Sequence, residues 1–121
     1  MLPLVILLLI PNLLLASDDL QAKYLIFVSF SMPPESIKSL YVDSKKYNAT
    51  LIMRGLIDGS FKKTTKELQN LGVELQIDPN LFKEYKITKV PTIVKVFEHD
   101  FNTISGNISF ECAKERLLEA K

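Results

Sequence analysis

The chain has 121 residues, of which 47% are hydrophobic, and its formal net charge is +1. This length accommodates one small globular domain and a leader segment, and it leaves no room for a second domain of ordinary size. Because the lysines are scattered among acidic residues rather than gathered in a basic stripe, the composition does not favour a nucleic-acid partner.

The first segment of the chain is typical of a secretory signal peptide. Residues 1–15 are almost wholly apolar, and the residues that follow are small and polar. We therefore predict a signal peptide over residues 1–16, with cleavage at that point or as late as Ala22, and a mature domain over residues 23–121. A permanent membrane anchor is the weaker alternative, because the apolar stretch is shorter than the roughly 20 residues of a membrane-spanning helix and is interrupted by prolines.

The mature domain begins with a pattern typical of a β-α-β unit. The continuous apolar run at residues 24–30 predicts a central strand that is covered on both faces. A helix is predicted over residues 33–47, with Ser31 as its N-cap and proline in its first turn. Residues 50–54 predict a second buried strand. Since such crossovers are right-handed, the two strands should be parallel and close together.

The next segment predicts two helices separated by a short strand. Ser60 begins the first of them and Gly72 ends it. A short strand is predicted at residues 74–77. Asp78 and Pro79 then combine an N-cap carboxylate with proline at the first helical position, which predicts a short helix.

The last segment predicts a hairpin and a final helix. Residues 92–97 form a strand, residues 99–102 a turn, and residues 103–105 the returning antiparallel strand. Ser109 is the expected N-cap of the final helix. The principal elements therefore follow the order β-α-β-α-β-β-α.

This order is that of the thioredoxin-like fold, an α/β domain of three layers with a central mixed sheet. Val90-Pro91-Thr92 resembles the cis-proline segment of that fold, so we expect a cis peptide bond before Pro91. Aligning the elements places Ser31 and Pro34 where thioredoxins carry the cysteines of Cys-x-x-Cys. Because disulfide exchange needs an attacking thiolate and a second thiol, we predict a redox-inactive site.

Several segments carry a more specific resemblance than the fold. Residues 27–33 (FVSFSMP), 53–61 (MRGLIDGSF) and 77–82 (IDPNLF), together with Val90-Pro91-Thr92, resemble the TrbC-type pilus assembly proteins of F-type conjugative, type IV secretion systems. The resemblance extends over residues 25–118. It implies a periplasmic factor needed to assemble the conjugative pilus, which works beside a TraW-type protein.

Sites in α/β folds gather at the carboxyl ends of parallel strands, where the loop after residue 30 is predicted to lie. We therefore predict a partner-binding edge made of Ser31, Met32, Pro33, Pro34, Arg54 and Pro91. Its apolar residues are expected to be exposed, either as a contact surface or as a structural turn. Ser31 as a nucleophile would need a base, and His99 is predicted in the distant hairpin turn, so a capping role is favoured.

Arg54 follows a buried strand and precedes Gly55. Its planar guanidinium is expected to pair with Asp58 or Asp78, or else to be offered to a partner. The structural pairing is the favoured alternative.

Cys112 is the single cysteine of the chain, and the helical spacing predicts that it is partly exposed. It is expected to be inert or to pair between chains. We also find no spacing of carboxylates, metal ligands or glycines typical of a catalytic, metal or phosphate site, so no cofactor and no enzymatic activity are predicted. Two alternatives stay open: a thiol–disulfide helper that uses Cys112, and a general periplasmic chaperone that uses a peptide groove beside Pro91.

Overall fold

The computed structural model describes residues 23–106 and 108–119, with side chains as far as residue 117. The signal peptide predicted at residues 1–16, with its cleavage zone up to Ala22, lies outside the described residues. Within the described part of the chain, no helix is both long enough and apolar enough to cross a membrane.

A mixed sheet forms the centre of the domain. Its strands lie in the spatial order β3-β2-β1-β4-β5. Their bounds are Lys23–Val28 (β1), Thr50–Met53 (β2), Gln76–Ile77 (β3), Thr92–Val96 (β4) and Phe101–Ser105 (β5). The strands β1, β2 and β3 are mutually parallel, whereas β4 is antiparallel to both β1 and β5. The parallel β-α-β unit and the antiparallel hairpin predicted from the sequence are therefore confirmed.

Helices cover both faces of this sheet. Their bounds are Pro34–Lys46 (α1), Phe61–Leu71 (α2), Pro79–Glu84 (α3) and Phe110–Glu119 (α4), and a short 3-10 turn covers Ile57–Gly59. The Ser60 hydroxyl accepts the Lys63 N–H at 3.1 Å, and Gly72 ends α2 with a φ of 71°. The predicted bounds of α2 are thus confirmed.

The Asp78 carboxylate begins α3, as predicted. Its Oδ1 accepts hydrogen bonds from the N–H groups of Asn80 and Leu81 at 3.0 and 3.2 Å. Pro79 occupies the first helical position, where the missing N–H would have had no helical acceptor.

Two apolar clusters lie on opposite faces of the sheet. Each cluster packs the sheet against the helices on that face, so the domain has three layers: helices, sheet and helices. The larger cluster lies under α1, α2 and α4, and its buried residues include Ile26, Val28, Ile37, Leu40, Leu51, Phe110, Ala113 and Leu117. The smaller cluster lies under α3, and its buried residues are Phe27, Ile52, Phe82, Ile87 and Val94. Since successive side chains of β1 point to opposite faces, Phe27 belongs to the second cluster while its neighbours belong to the first.

Several predicted strand boundaries are wrong. β3 covers only Gln76–Ile77 rather than residues 74–77. β1 ends at Val28 rather than at residue 30. β5 begins at Phe101 rather than at Thr103, because the turn closes earlier, with a hydrogen bond of 2.8 Å from the Phe97 N–H to the Asp100 carbonyl. The Phe101 ring is then free to pack edge-on against Tyr85 at 4.8 Å.

A cluster of aromatic and charged side chains fastens α4 to the end of α1. The Tyr47 ring stacks on the buried Phe110 ring at 4.9 Å, and its hydroxyl donates to Glu111 Oε1 at 2.5 Å. The ammonium groups of Lys46 and Lys114 lie 5.3 and 4.8 Å from the centre of the Tyr47 ring. Lys46 Nζ also reaches Glu111 Oε1 at 3.5 Å. We refer to these five residues as the Tyr47 cluster.

Candidate functional site

The candidate site lies at the edge of the sheet where β1 and β2 end and β4 begins. In the register of the sheet, Val28 is opposite Met53, and Phe27 is opposite Thr92. The loops after β1 and β2 therefore meet the loop that precedes β4. This juxtaposition follows from the parallel pairing of the first two strands and the antiparallel pairing of the fourth.

A cavity of about 580 Å³ opens between these three loops. Its walls are residues 28–30, 53–58 and 87–90, together with Phe82, and we call it the Arg54 cavity. The side chains of Phe30, Leu56 and Val90 are partly buried in its walls. The cavity thus combines apolar walls with an exposed guanidinium.

Arg54 is held by contacts on two sides. Its guanidinium carbon lies 5.0 Å from the centre of the Phe82 ring, and its Nη2 donates to the Ile87 carbonyl at 3.2 Å. Phe82 is itself buried, and its ring packs edge-on against the buried Phe27 ring at 4.9 Å. Because the ring beneath the guanidinium belongs to the core, the orientation of Arg54 is set by the fold.

The favoured prediction that Arg54 pairs with Asp58 or Asp78 is wrong. The Asp58 carboxylate pairs with Lys63 at 3.2 Å, and the Asp78 carboxylate caps α3. Arg54 bonds a backbone carbonyl instead, since the chain reverses after α3 and brings the Ile87 carbonyl to it.

The reversal after α3 depends on one residue in the left-handed region. Lys86 has a φ of 54°, and its N–H donates to the Lys83 carbonyl at 3.1 Å. The next N–H, that of Ile87, donates to the Phe82 carbonyl at 2.8 Å. These bonds satisfy carbonyls at the end of the helix and direct the chain into the loop that forms one wall of the cavity.

The loop before β4 contains the cis peptide bond expected from the sequence, between Val90 and Pro91. The Thr92 hydroxyl donates to the Lys89 carbonyl at 2.6 Å and shares a second hydrogen bond of 2.7 Å with the Ser105 hydroxyl. The Pro91 carbonyl accepts the Gly106 N–H at 3.1 Å. The loop is therefore fastened to the neighbouring strand β5.

Pro91 lines a second depression, of about 300 Å³, which we call the Pro91 groove. Met32, Glu35 and Ser109 are among its other wall residues. The prediction that Met32 is exposed is wrong, because its side chain is only 9% exposed and joins the apolar cluster under α1. Pro33 and Pro34 are exposed, as expected.

Ser31 does not cap α1, and this prediction is also wrong. The N-cap position belongs to Pro33, so the helix begins later than expected and Ser31 lies two residues before the cap. Its hydroxyl donates to the Ser29 hydroxyl at 3.0 Å, and its N–H donates to the same oxygen at 3.2 Å. His99 lies in the turn after β4, at the end of that strand opposite to Pro91.

The structure gathers the predicted site residues only in part. Arg54 lies in the Arg54 cavity beside Val90, and Met32 lies in the Pro91 groove beside Pro91. Ser31 and Pro33 lie in the loop before α1, Pro34 is the first residue of that helix, and none of the three lines either depression. The cis-proline loop thus separates two sub-sites at one edge of the sheet.

Cys112 is exposed on α4. Its N–H donates to the Ser109 hydroxyl at 3.2 Å, which confirms the predicted cap of that helix. Among the described residues, no group of histidine, cysteine, aspartate or glutamate side chains has the arrangement of a metal site.

The chain is similar in sequence to one protein family and similar in fold to several solved structures. Residues 26–117 match the family model of the type-F conjugative transfer system pilin assembly proteins. The chain belongs to this family. The matched region begins in β1 and ends in α4, so it includes all the wall residues of the Arg54 cavity and the cis-proline loop. The resemblance stated from the sequence is thereby confirmed.

A curated relative agrees with this membership. The periplasmic protein TrbC of Escherichia coli (strain K12) is 31% identical over 98 residues, which cover 77% of this chain. The same residues cover 46% of the relative, so the chain spans about half the length of the protein that it matches. Like this relative, the protein is periplasmic.

Solved structures show the same fold with little sequence identity. DsbF of MTB, solved in mixed oxidised and reduced forms, has a TM-score of 0.57 at 14% identity and covers 84% of this chain and 81% of its own. StoA from Bacillus subtilis has a TM-score of 0.53 at 21% identity, with coverage of 78% and 81%. A protein described as a thioredoxin from Neisseria meningitidis gives 0.53 at 16% identity, with coverage of 85% and 77%. At these identities the likeness shows the thioredoxin-like fold alone.

Sequence reasoning missed the groups that hold Arg54. Phe82 and the Ile87 carbonyl are far from Arg54 along the chain, and no periodic pattern relates them to it. The one signal available was the position of Phe82 in the family-like segment at residues 77–82. The hydroxyl pair of Thr92 and Ser105 was missed for the same reason, since it joins two strands across a hairpin.

Proposed function

We propose that this protein acts in pilin assembly by binding partner proteins, without thiol–disulfide chemistry. The docking edge that we propose consists of Ser31, Met32, Pro33, Pro34, Arg54 and Pro91. The observation that carries the proposal is the substitution of the redox loop. The chain has a single cysteine and therefore no Cys-x-x-Cys motif, and the order of its elements aligns Ser31 and Pro34 with the two cysteine positions. Met32, which lies between them, lines the Pro91 groove together with the cis-proline.

The chemistry of this loop supports binding rather than catalysis. The side-chain hydroxyls of this loop are those of Ser29 and Ser31, and the Ser31 hydroxyl donates a hydrogen bond to the Ser29 hydroxyl. Exposed Pro33 and Pro34 restrict the backbone and present apolar surface, which lowers the entropy lost when a partner binds. We propose a TraW-type protein as the partner, as the family resemblance implies.

The test is pilus formation by donor cells that lack their own copy of the gene and carry a variant instead. Pro34→Glu places a negative charge on the docking edge. Glutamate is well tolerated at this position, because the helix dipole favours an acidic residue in the first turn. We expect loss of most pili and of conjugation. Val42→Glu is the matched control, because Val42 is 64% exposed on the same helix and lies outside the docking edge.

The proposal fails if Pro34→Glu and Arg54→Glu donors both form pili like the wild type while their folded proteins reach normal levels. Circular dichroism of the purified variants checks the fold. A deficit of pili shared equally by Val42→Glu would also contradict it, since the effect would then not belong to this edge.

The thiol–disulfide alternative depends on Cys112. We expect Cys112→Ser to leave pilus formation unchanged and the purified protein not to reduce insulin. Loss of pili in Cys112→Ser, or insulin reduction by the wild type, would favour the alternative. Equal binding to unrelated unfolded peptides would instead favour a general chaperone.

A further inference from the structure

We propose that the Arg54 cavity binds an acidic and apolar segment of a partner protein, with a carboxylate of that segment placed against Arg54. This inference rests on the proposed function, because it gives the chemistry of the segment that the docking edge receives.

Several cations surround the cavity. Lys89 lies in its wall, and Lys83 and Lys86 line an adjoining depression of about 440 Å³ that shares Arg54 with it. All three lysines are exposed. Of the ion pairs among the described residues, none includes Arg54 or any of these lysines. The positive charge of this surface is therefore available to an acidic partner.

Arg54 is prepared for a carboxylate. One of its N–H donors is used by the Ile87 carbonyl, and the face of its guanidinium lies on Phe82. The remaining donors point along the edge of a plane whose orientation is already set. A carboxylate that binds this edge makes charge-assisted hydrogen bonds without the entropy cost of ordering the arginine.

The walls of the cavity indicate what accompanies the carboxylate. Phe30, Leu56 and Val90 present partly buried apolar surface beside Arg54. A segment with apolar residues next to its acidic residue would bury this surface as well as neutralise the charge. A flat anionic membrane contacts exposed lysines but does not enter a concave cavity, so a protein segment fits this site better.

The experiment measures binding of two synthetic peptide libraries to the purified protein. One library has a central Glu flanked by randomised Leu, Val and Phe, and the other has Gln in place of that Glu. We expect the Glu library to bind about tenfold tighter or more, because it makes charge-assisted bonds that Gln does not. This preference should fall as salt is added. Backbone amide NMR shifts should map to residues 53–58 and 87–90.

The variants locate the effect. Arg54→Gln should abolish the preference for Glu, whereas Arg54→Lys should keep part of it, since it keeps the charge and loses the planar fork. The matched control is Lys62→Gln with Lys66→Gln, which removes exposed charge from α2 at residues that line neither depression. This control should bind like the wild type.

Several results would overturn the inference. They are absence of binding by the Glu library, equal binding of the two libraries, and shifts that map elsewhere. Arg54-dependent binding to phosphatidylglycerol vesicles without any peptide preference would assign the site to membranes instead. In each case the proposed function survives if Pro34→Glu still abolishes pili, and it falls separately if Pro34→Glu and Arg54→Glu donors both form normal pili.

Discussion

The Tyr47 cluster and the Arg54 cavity are built on the same plan, on opposite faces of the sheet. In each, a cation lies over an aromatic ring, and a buried phenylalanine supports that ring from below. Lys46 and Lys114 lie over Tyr47, which stacks on Phe110. Arg54 lies over Phe82, which packs against Phe27.

The two regions differ in how a nearby carboxylate is used, because the Asp58 carboxylate in the wall of the Arg54 cavity pairs with Lys63 and not with Arg54. The Tyr47 cluster contains Glu111, which accepts from the tyrosine hydroxyl and from Lys46. Among the described ion pairs, none supplies a carboxylate to Arg54. The first region is therefore a closed contact that stabilises the fold. The second has the same aromatic support and an open charge, which suits an acid from another protein.

The largest expected effect is the loss of an aromatic support. Phe110 is fully buried and its ring contacts both Tyr24 and Tyr47. We expect Phe110→Ala to lower the free energy of unfolding by about 3–5 kcal/mol, since it leaves a cavity under α4. Urea unfolding followed by circular dichroism measures this loss. Phe61→Ala, at a residue 77% exposed, is the control and should change the stability by less than about 0.5 kcal/mol.

A smaller effect is expected when the carboxylate of the closed region is removed. The hydrogen bond from Tyr47, and then that from Lys46, lowers the pKa of Glu111. The stability that Glu111 contributes is therefore present above the pKa of its unfolded state and is lost as the pH falls through the lower folded pKa. Glu111→Gln should melt at a lower temperature than the wild type at neutral pH, and the difference should vanish in acid.

If the difference in melting temperature between Glu111→Gln and the wild type did not depend on pH, it would contradict this account of Glu111. The partner groups give a further check at the alkaline end. The hydrogen bond to Glu111 raises the pKa of Tyr47, so the tyrosine should ionise at a higher pH in the wild type than in Glu111→Gln. Ultraviolet titration of the tyrosines measures this shift.

The contrast between the two regions can also be tested by adding a carboxylate to the Arg54 cavity. Thr88 is exposed and lines the Arg54 cavity, so Thr88→Glu would supply a carboxylate within the chain. We expect a stabilisation of up to about 1 kcal/mol and loss of the preference for acidic peptides, because the new side chain competes for Arg54. Thr65→Glu, at an exposed threonine of α2, is the control and should keep that preference. Unchanged binding by Thr88→Glu would show that the cavity is not the site.

The smallest effect concerns the turn that forms the cavity wall. Lys86 has a positive φ, a conformation that costs residues other than glycine about 1–2 kcal/mol. Lys86→Gly should stabilise the protein by about 0.5 kcal/mol, because the relief of strain exceeds the greater entropy of glycine in the unfolded chain. Gly72→Ala, at a similar φ of 71° after α2, should destabilise it. Destabilisation by Lys86→Gly, or stabilisation by Gly72→Ala, would contradict this account of the turn.

Much of the fold could be predicted because its signals are local. The caps at Ser60, Asp78 and Ser109 each use a side chain and an N–H within three residues, so sequence spacing is enough to find them. The order of apolar strands and the segment around Pro91 were likewise sufficient to indicate the thioredoxin-like fold. The cap assigned to Ser31 failed because the helix begins at Pro34, which leaves the N-cap position to Pro33.

The sequence by itself determined the fold, the family and the absence of a Cys-x-x-Cys motif, since each depends on residue types in a fixed order along the chain. Only the tertiary structure decided what Arg54 contacts and where Met32 lies. These outcomes depend on groups that the sheet and the turn after α3 bring together from distant positions: the Phe82 ring, the Ile87 carbonyl and the core under α1. The Asp58 carboxylate pairs with Lys63, and the Asp78 carboxylate caps α3. Neither carboxylate therefore pairs with Arg54, whose guanidinium stays exposed at the edge of the sheet.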